Sequence, residues 1–498
     1  VELPSVFNLL GKKVSKDVVV AAQKFFLAIK AVDGYFCVTD ILELYHTKEF
    51  IPYLDYLKSH DIRSFILAPV PRSTGFQAYI ELYSTIPYAL HTINANKLND
   101  VIPLLHDNFE RYHIDVKNEL DAIIQREYTT IHPSVNWKFE EEAKNMFFSK
   151  NLKTNTALKE IAFDNIFPIY GETDIKGSTG FRNKAMLADL KKQLKEILSI
   201  LEFVKPFEEE LLFEQRINEV VYFQNLLKKD QFLAEAQINK YIIENFHPLI
   251  NKLSEKVAYK KIIQKYRDQI DVDTERILNQ RKKYDVAIQK INKNLTDIID
   301  KEQQSIQKVY PHYFERFRTD GVEHNLFIGG SIAPNQVFDV IYLYNLRLWQ
   351  LQVMCKMVLS HQKVKEQLSL DMNLTSLIMV YNEAVSIKFR MDEKRFDVEG
   401  NSDIRYEILK KRLSKALIKN TNERLVQDNK LAIIYLNETE KLQYINYIKF
   451  MQSKHYFEPE IEMVTIEDLQ DITNLQAIRV SINIHFNLDE FQIYTYAN

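Results

Sequence analysis

Phe167-Pro168-Ile169-Tyr170-Gly171-Glu172-Thr173-Asp174-Ile175-Lys176-Gly177-Ser178-Thr179 is where the chain changes character. It opens as a strand. Gly177 and Gly180 then permit positive φ, and Ser178 or Thr179 is placed to cap a helix that starts near Phe181. A glycine-containing turn before a helix, followed by Arg182, is also a place to hold an anion, because the first helical N–H groups lack an intrahelical acceptor. That reading names Gly177, Ser178, Thr179 and Arg182.

Downstream, no glycine occurs between Gly180 and Gly321, and the prolines inside that stretch are Pro206, Pro248 and Pro311. Such a segment, rich in Lys, Glu, Gln and Leu, is expected to be helical. Leu187, Leu190, Leu194, Ile197, Leu201 and Val204 recur at steps of three and four, as do Tyr284, Ile288, Ile291, Leu295 and Ile298. Both are heptad-like seams that need a partner helix. Three or four helices are expected between 181 and 310, with 257–309 as one helix about 80 Å long.

Upstream, residues 63–70 and 76–84 read as two strands joined through Pro71-Arg72-Ser73-Thr74-Gly75, with helices over 15–31 and 49–59 and a short strand near Tyr35–Val38. Beyond Gly321 the pattern is mixed, with strands near 375–382, 386–391, 430–436, 461–465 and 477–486. In the last, Ile478, Val480, Ile482, Ile484 and Phe486 alternate with polar residues, as in a half-buried antiparallel strand. The expected class is α+β. It comprises a partial α/β sheet domain (1–125), an α/β connector (126–180), a long antiparallel helical or coiled-coil region (181–320) and a C-terminal mixed α/β domain (321–498).

The chain has 498 residues, 46% of them hydrophobic and 27% charged, with net charge -3. This balance argues against a broad nucleic-acid interface, which needs a cationic face. Cys37 and Cys355 stand far apart outside any metal or redox motif, as in a cytoplasmic protein. No apolar run reaches spanning length, so no membrane insertion is expected. The opening Val1–Leu10 lacks an initiator methionine, and an upstream region is expected. Walker A, GxGxxG, GxSxG and HExxH patterns are absent.

The run Ile62-Arg63-Ser64-Phe65-Ile66-Leu67-Ala68-Pro69-Val70, followed by Ala78-Tyr79-Ile80-Glu81-Leu82-Tyr83-Ser84 and a helix from about Ile93, resembles the C-terminal half of a GAF domain. Further runs, among them Ile131–Ala143, Tyr310–Phe317, Asp320–Asn325 and Tyr342–Gln350, are similar to a bacterial GAF-domain protein family. The resemblance implies a small-molecule pocket lined by Phe65, Leu67, Tyr79 and Glu81, or a module that only dimerises. Asp174-Ile175-Lys176-Gly177-Ser178-Thr179 after a strand resembles the first metal-binding strand of class III nucleotidyl cyclases, where the aspartate holds a divalent cation. That plan needs a second aspartate on a later hairpin, and the glycine-free helix downstream offers no strand for it. His312, Glu315, Glu323 and His324 follow no metal-ligand spacing and read as an ion-paired corner.

The leading expectation is therefore a non-enzymatic GAF-linked sensor in signal transduction. It would be a homodimer that binds a small ligand and transmits through long helices. Two alternatives stand beside it: a dimeric scaffold, and a cyclase-like enzyme using Asp174.

Overall fold

The computed structural model describes residues 15–30, 35–70, 79–129, 131–151, 159–208, 210–229, 231–399, 410, 413, 415–468 and 475–495. They form two units, the first of residues 1–129 and 143–156, the second of 130–142 and 157–498.

The first unit runs α1 (Lys16–Lys30), β1 (Phe36–Val38), α2 (Ile51–Ser59), β2 (Ser64–Pro69), β3 (Tyr79–Ser84), α3 (Thr92–Asn96) and α4 (Leu98–Glu127). β2 pairs antiparallel with β1 and with β3, so the expected hairpin forms; its connection, 71–78, lies outside the described residues. The core is aromatic: Phe25 meets Phe36 and Phe50 edge-on at centroid separations of 5.6 and 5.3 Å, beside buried Tyr53 and Phe65. α4 buries Leu120, Ile123 and Ile124 but leaves Leu104, Tyr112 and Ile114 in solvent.

The second unit is built on one sheet. Its elements are the part of α5 (Pro133–Asn151) up to Glu142, β4 (Ala162–Ile175), α6 (Ser178–Val204), α7 (Glu210–Lys229), α8 (Gln231–Tyr241), α9 (His247–Leu253), α10 (Val257–Arg267) and α11 (Asn279–Ile306). They continue through β5 (Tyr313–Arg318), β6 (Gly321–Ile328), α12 (Val340–Lys365), β7 (Leu374–Met379), β8 (Val385–Arg390), β9 (Arg395–Glu399), β10 (Lys430–Tyr435), α13 (Glu438–Ser453), β11 (Phe457–Thr465) and β12 (Gln476–Ile482). The main strand order is β11-β12-β10-β7-β4-β6-β5. Within it β7-β4-β6-β5 is wholly antiparallel, a split βαββαβ arrangement with β4 and β6 at its centre. The expected boundaries at 180 and 321 cut through this sheet, because β4 comes from the connector.

β7 is buried on both faces, as its Leu-Thr-Ser-Leu-Ile-Met sequence permits. β4 changes partners along its length. Asn165, at φ 55°, lies where the pairing with β8 shifts register between Phe163 and Ile166; from Phe167 the strand pairs with β6 and from Tyr170 also with β7. One face of the sheet packs against α11 and α12, joining Leu326, Ile169, Ile378 and Ile433 to Leu295, Ile299, Trp349 and Met354 in one core. α12 is therefore mostly core, with Val340, Ile341 and Tyr344 exposed towards its start. Burying each large apolar side chain contributes roughly 1.5–3 kcal/mol.

Helices α6–α10 form a second core through Leu194, Ile197, Leu201, Val220, Ile238 and Ile263, so the α6 seam is used as expected. The single helix expected over 257–309 is two. Asp271 ends the first by accepting from Thr274 N and Oγ1 at 3.2 and 3.0 Å, a local turn that outcompetes the helix. The chain re-enters α11 where Asp189 of α6 accepts from Gln280 N and Arg281 N at 2.9 and 2.8 Å, capping from another helix. Among the described residues no helix is long and apolar enough to cross a membrane.

Candidate functional site: a carboxylate pair at the opening of a helix

β4 alternates. Gly171 and Thr173 face the helices, where His324 and Gln350 fill the space beside Gly171, and Tyr170, Glu172 and Asp174 face the opposite side. β5 and β6 are joined through Thr319-Asp320, and the hairpin lays Gly321 directly opposite Asp174. A side chain at 321 would place its Cβ 2.2 Å from Thr173 O and 2.7 Å from Asp174 Cα. Glycine is thus what lets the hairpin close onto β4. The expectation that no later strand could supply a second carboxylate is corrected: Asp320 supplies it from the turn of this hairpin. Asp320-Gly321 between alternating segments is a hairpin signal that was available in the sequence.

The turn after β4 holds Asp320 in place. Ile175 N donates to Asp320 O at 3.0 Å, and Ser178 Oγ donates to Asp320 Oδ2 at 2.7 Å. Ser178 is therefore not the cap of α6. Gly177, at φ 68°, is the capping residue and makes no side-chain cap, and Gly180 lies inside the helix without positive φ. Thr179 and Arg182 are exposed on the first turn. The structure thus brings Gly177, Ser178, Thr179 and Arg182 to one helix opening, beside the two aspartates.

Burial pushes the Asp174 carboxyl up to about 6; the charge of Asp320 adds to this, and the Ile175 N–H opposes it. Burial likewise pushes Glu172 up to about 7, helped by Asp174 and Glu323 and opposed by Lys410. Among the described residues no Lys or Arg forms an ion pair with Asp174 or Asp320; Lys176, in the same turn, reaches Asp428 at 2.9 Å instead. Asp174 is partly buried and Asp320 exposed; two neighbouring carboxylates without a counter-ion repel each other and suit a bound cation. No group of three or more His, Cys, Asp or Glu is gathered for a metal among the described residues. The chain would therefore provide two oxygen donors and leave further positions to water and phosphate, the habit of Mg²⁺.

The four hairpin residues of the first unit share one face of β2–β3. Phe65 and Leu67 are buried in the aromatic core, Glu81 is half-buried, and Tyr79 is exposed. The His312, Glu315, Glu323 and His324 set does not converge. His324 meets Gln350 Nε2 at 3.1 Å on the helix side, whereas Glu323 pairs with Lys410 at 2.8 Å on the opposite side. The ion-paired corner is present in Arg316, whose guanidinium meets Asp300 at 2.7 Å.

No family model and no characterised protein matches the chain in sequence. Six solved chains match in structure, among them that described as "Crystal structure of the guanylyl cyclase Cya2". It is similar over 41% of this chain and 86% of its own, at 11% identity and a TM-score of 0.22. A likeness of that size establishes neither fold nor activity.

Proposed function

We propose that the second unit binds a nucleoside triphosphate through a divalent cation held by Asp174 and Asp320, and that it acts as an enzyme on the nucleotidyl-cyclase plan. The observation that supports this reading most is partly buried Asp174 set against exposed Asp320 without a counter-ion, beside the opening of α6. The cation would neutralise the two aspartates and the triphosphate together. The chain's own contribution is positional. Gly321 admits the hairpin, and the Ser178 hydroxyl orients Asp320. The Ser178, Thr179 and Gly180 amides point out of the helix N-terminus toward a phosphate, with Arg182 one turn on. Fluorescence titration with N-methylanthraniloyl-GTP and -ATP tests it. Binding should require Mn²⁺ or Mg²⁺ and be lost in Asp174→Asn and Asp320→Asn; equal binding in EDTA would rule the reading out.

A second reading concerns the first unit. The exposed Leu104, Tyr112 and Ile114 on α4 favour association with a second copy, as a GAF-linked regulatory homodimer would use. Light scattering on the wild type and a Leu104→Glu/Tyr112→Glu variant checks it: the variant should be monomeric. The free thiols Cys37 and Cys355 suit a cytoplasmic protein.

A further inference from the structure

A cavity of about 320 Å³ opens between α6, α8 and the start of α11, away from the carboxylate pair and independent of its reading. Part of its lining is already committed. Asp189 caps α11, Gln193 bonds Tyr266 and the 275–277 backbone, and Arg281 pairs with Asp285 at 3.2 Å. Three polar groups are not. Asn239 is only 8% exposed, yet its Oδ1 is buried with no hydrogen-bond partner. Arg276 has a buried Nε without an acceptor and joins no ion pair among the described residues. Glu235 lies one turn before Asn239 on α8, lines the same cavity and has no basic partner there. The rest of the wall is apolar, from Met186, Leu190 and Ile277.

Buried polar groups are satisfied in nearly every folded protein, so an orphaned amide oxygen in a residue of the cavity wall calls for a donor that the chain does not supply. A lone guanidinium calls for an anion, best a planar carboxylate. A carboxylate and an amide oxygen one helical turn apart suit an ammonium group. The volume falls at the small end of ligand sites. We infer that this cavity is a binding site for a free α-amino acid with an aliphatic side chain. Arg276 takes its carboxylate, Glu235 and Asn239 take its ammonium, and Met186, Leu190 and Ile277 enclose the side chain.

The test is thermal unfolding and isothermal titration of the full chain with L-leucine, L-isoleucine, L-valine and L-methionine, each supplied separately at millimolar concentration. At least one should raise the Tm by several degrees, since a ligand bound only to the native state stabilises it. Leucinamide and N-acetyl-leucine, each lacking one of the two charges, should not. Arg276→Ala and Glu235→Gln should each abolish the shift while unfolding near the wild-type Tm without ligand. If Arg276→Ala fails to fold, half-exposed Glu235→Gln carries the test alone. Absence of any shift with all four amino acids, or a shift that survives in Glu235→Gln, would overturn the proposal.

Discussion

The hydroxyl of Ser178, first residue of α6, donates to Oδ2 of Asp320 at 2.7 Å across 142 positions of sequence. This bond ties the turn after β4 to the β5–β6 hairpin and fixes the direction of one of the two aspartates. Ser178→Ala should leave the fold intact and cost about 1 kcal/mol of stability, the net value of one such bond. It should weaken metal-dependent nucleotide binding several-fold without abolishing it. Urea unfolding and nucleotide titration check the two parts separately.

Gly321 and Gly180 make a matched pair. Alanine at 321 meets the β4 backbone at 2.2 Å, whereas alanine at 180 meets nothing within 4 Å. Gly321→Ala should destabilise by at least about 2 kcal/mol and lose nucleotide binding, since backbone cannot yield as a side-chain tip does. Gly180→Ala, inside a helix, should be neutral or stabilise by up to about 1 kcal/mol. Equal urea midpoints for the two variants would contradict the close approach.

The pH dependence of the metal-free protein carries a sign. Asp174 has a folded pKa of about 6, above its ordinary 3.8, so the native state holds the proton that the unfolded chain gives up. Its contribution is full below about pH 4 and is lost as pH rises through 6, a swing of roughly 3 kcal/mol. His312 and His324, buried and held down to about 4 and about 3, act oppositely and lose stability as pH falls below 6.5. Comparison with Asp174→Asn cancels the histidines. In EDTA the variant should match wild type near pH 4 and exceed it by a few kcal/mol at pH 7.5, measured by urea unfolding.

Asp189 offers a test remote from the site. It accepts from two backbone N–H groups at the start of α11 while itself buried in α6. Asp189→Ala should cost about 1–3 kcal/mol, because it orphans donors at a buried helix end. Asp189→Asn, which keeps one acceptor, should cost less. Denaturant midpoints rank the three proteins.

Much of this architecture was legible in the residues. The glycine-free stretch and the Leu190–Leu194–Ile197–Leu201 seam gave the helical region and the α6 packing face. The alternation from Ile478 gave β12, which ends at Ile482 rather than 486 and is buried on both faces because Arg479 is paired with Glu423 and Glu462. The central strand was harder. Only its second half, from Phe167, reads as a strand, because Asn165 at positive φ puts a register shift into β4. The end of α10 rests on the local Asp271–Thr274 turn, whereas the start of α11 is capped by Asp189, about 90 positions upstream, and no local pattern carries that second signal. Asp174 was legible as a metal-type aspartate. Its partner was not, because Asp320 lies beyond the glycine-free helices and only the pairing of β4 with β6 brings the two together. The cavity at Asn239 rests on groups from α6, α8 and the loop that leads into α11, and sequence spacing does not bring them together.

Electron paramagnetic resonance of Mn²⁺ measures most directly whether Asp174 and Asp320 share a cation. Titrated with MnCl₂ in the presence of GTP or ATP, the wild-type chain should remove free Mn²⁺ signal to a saturating level. Asp174→Asn and Asp320→Asn, each folded by circular dichroism, should leave that portion of the signal free. Retention of wild-type Mn²⁺ binding in both variants would show that the two carboxylates do not form a cation site.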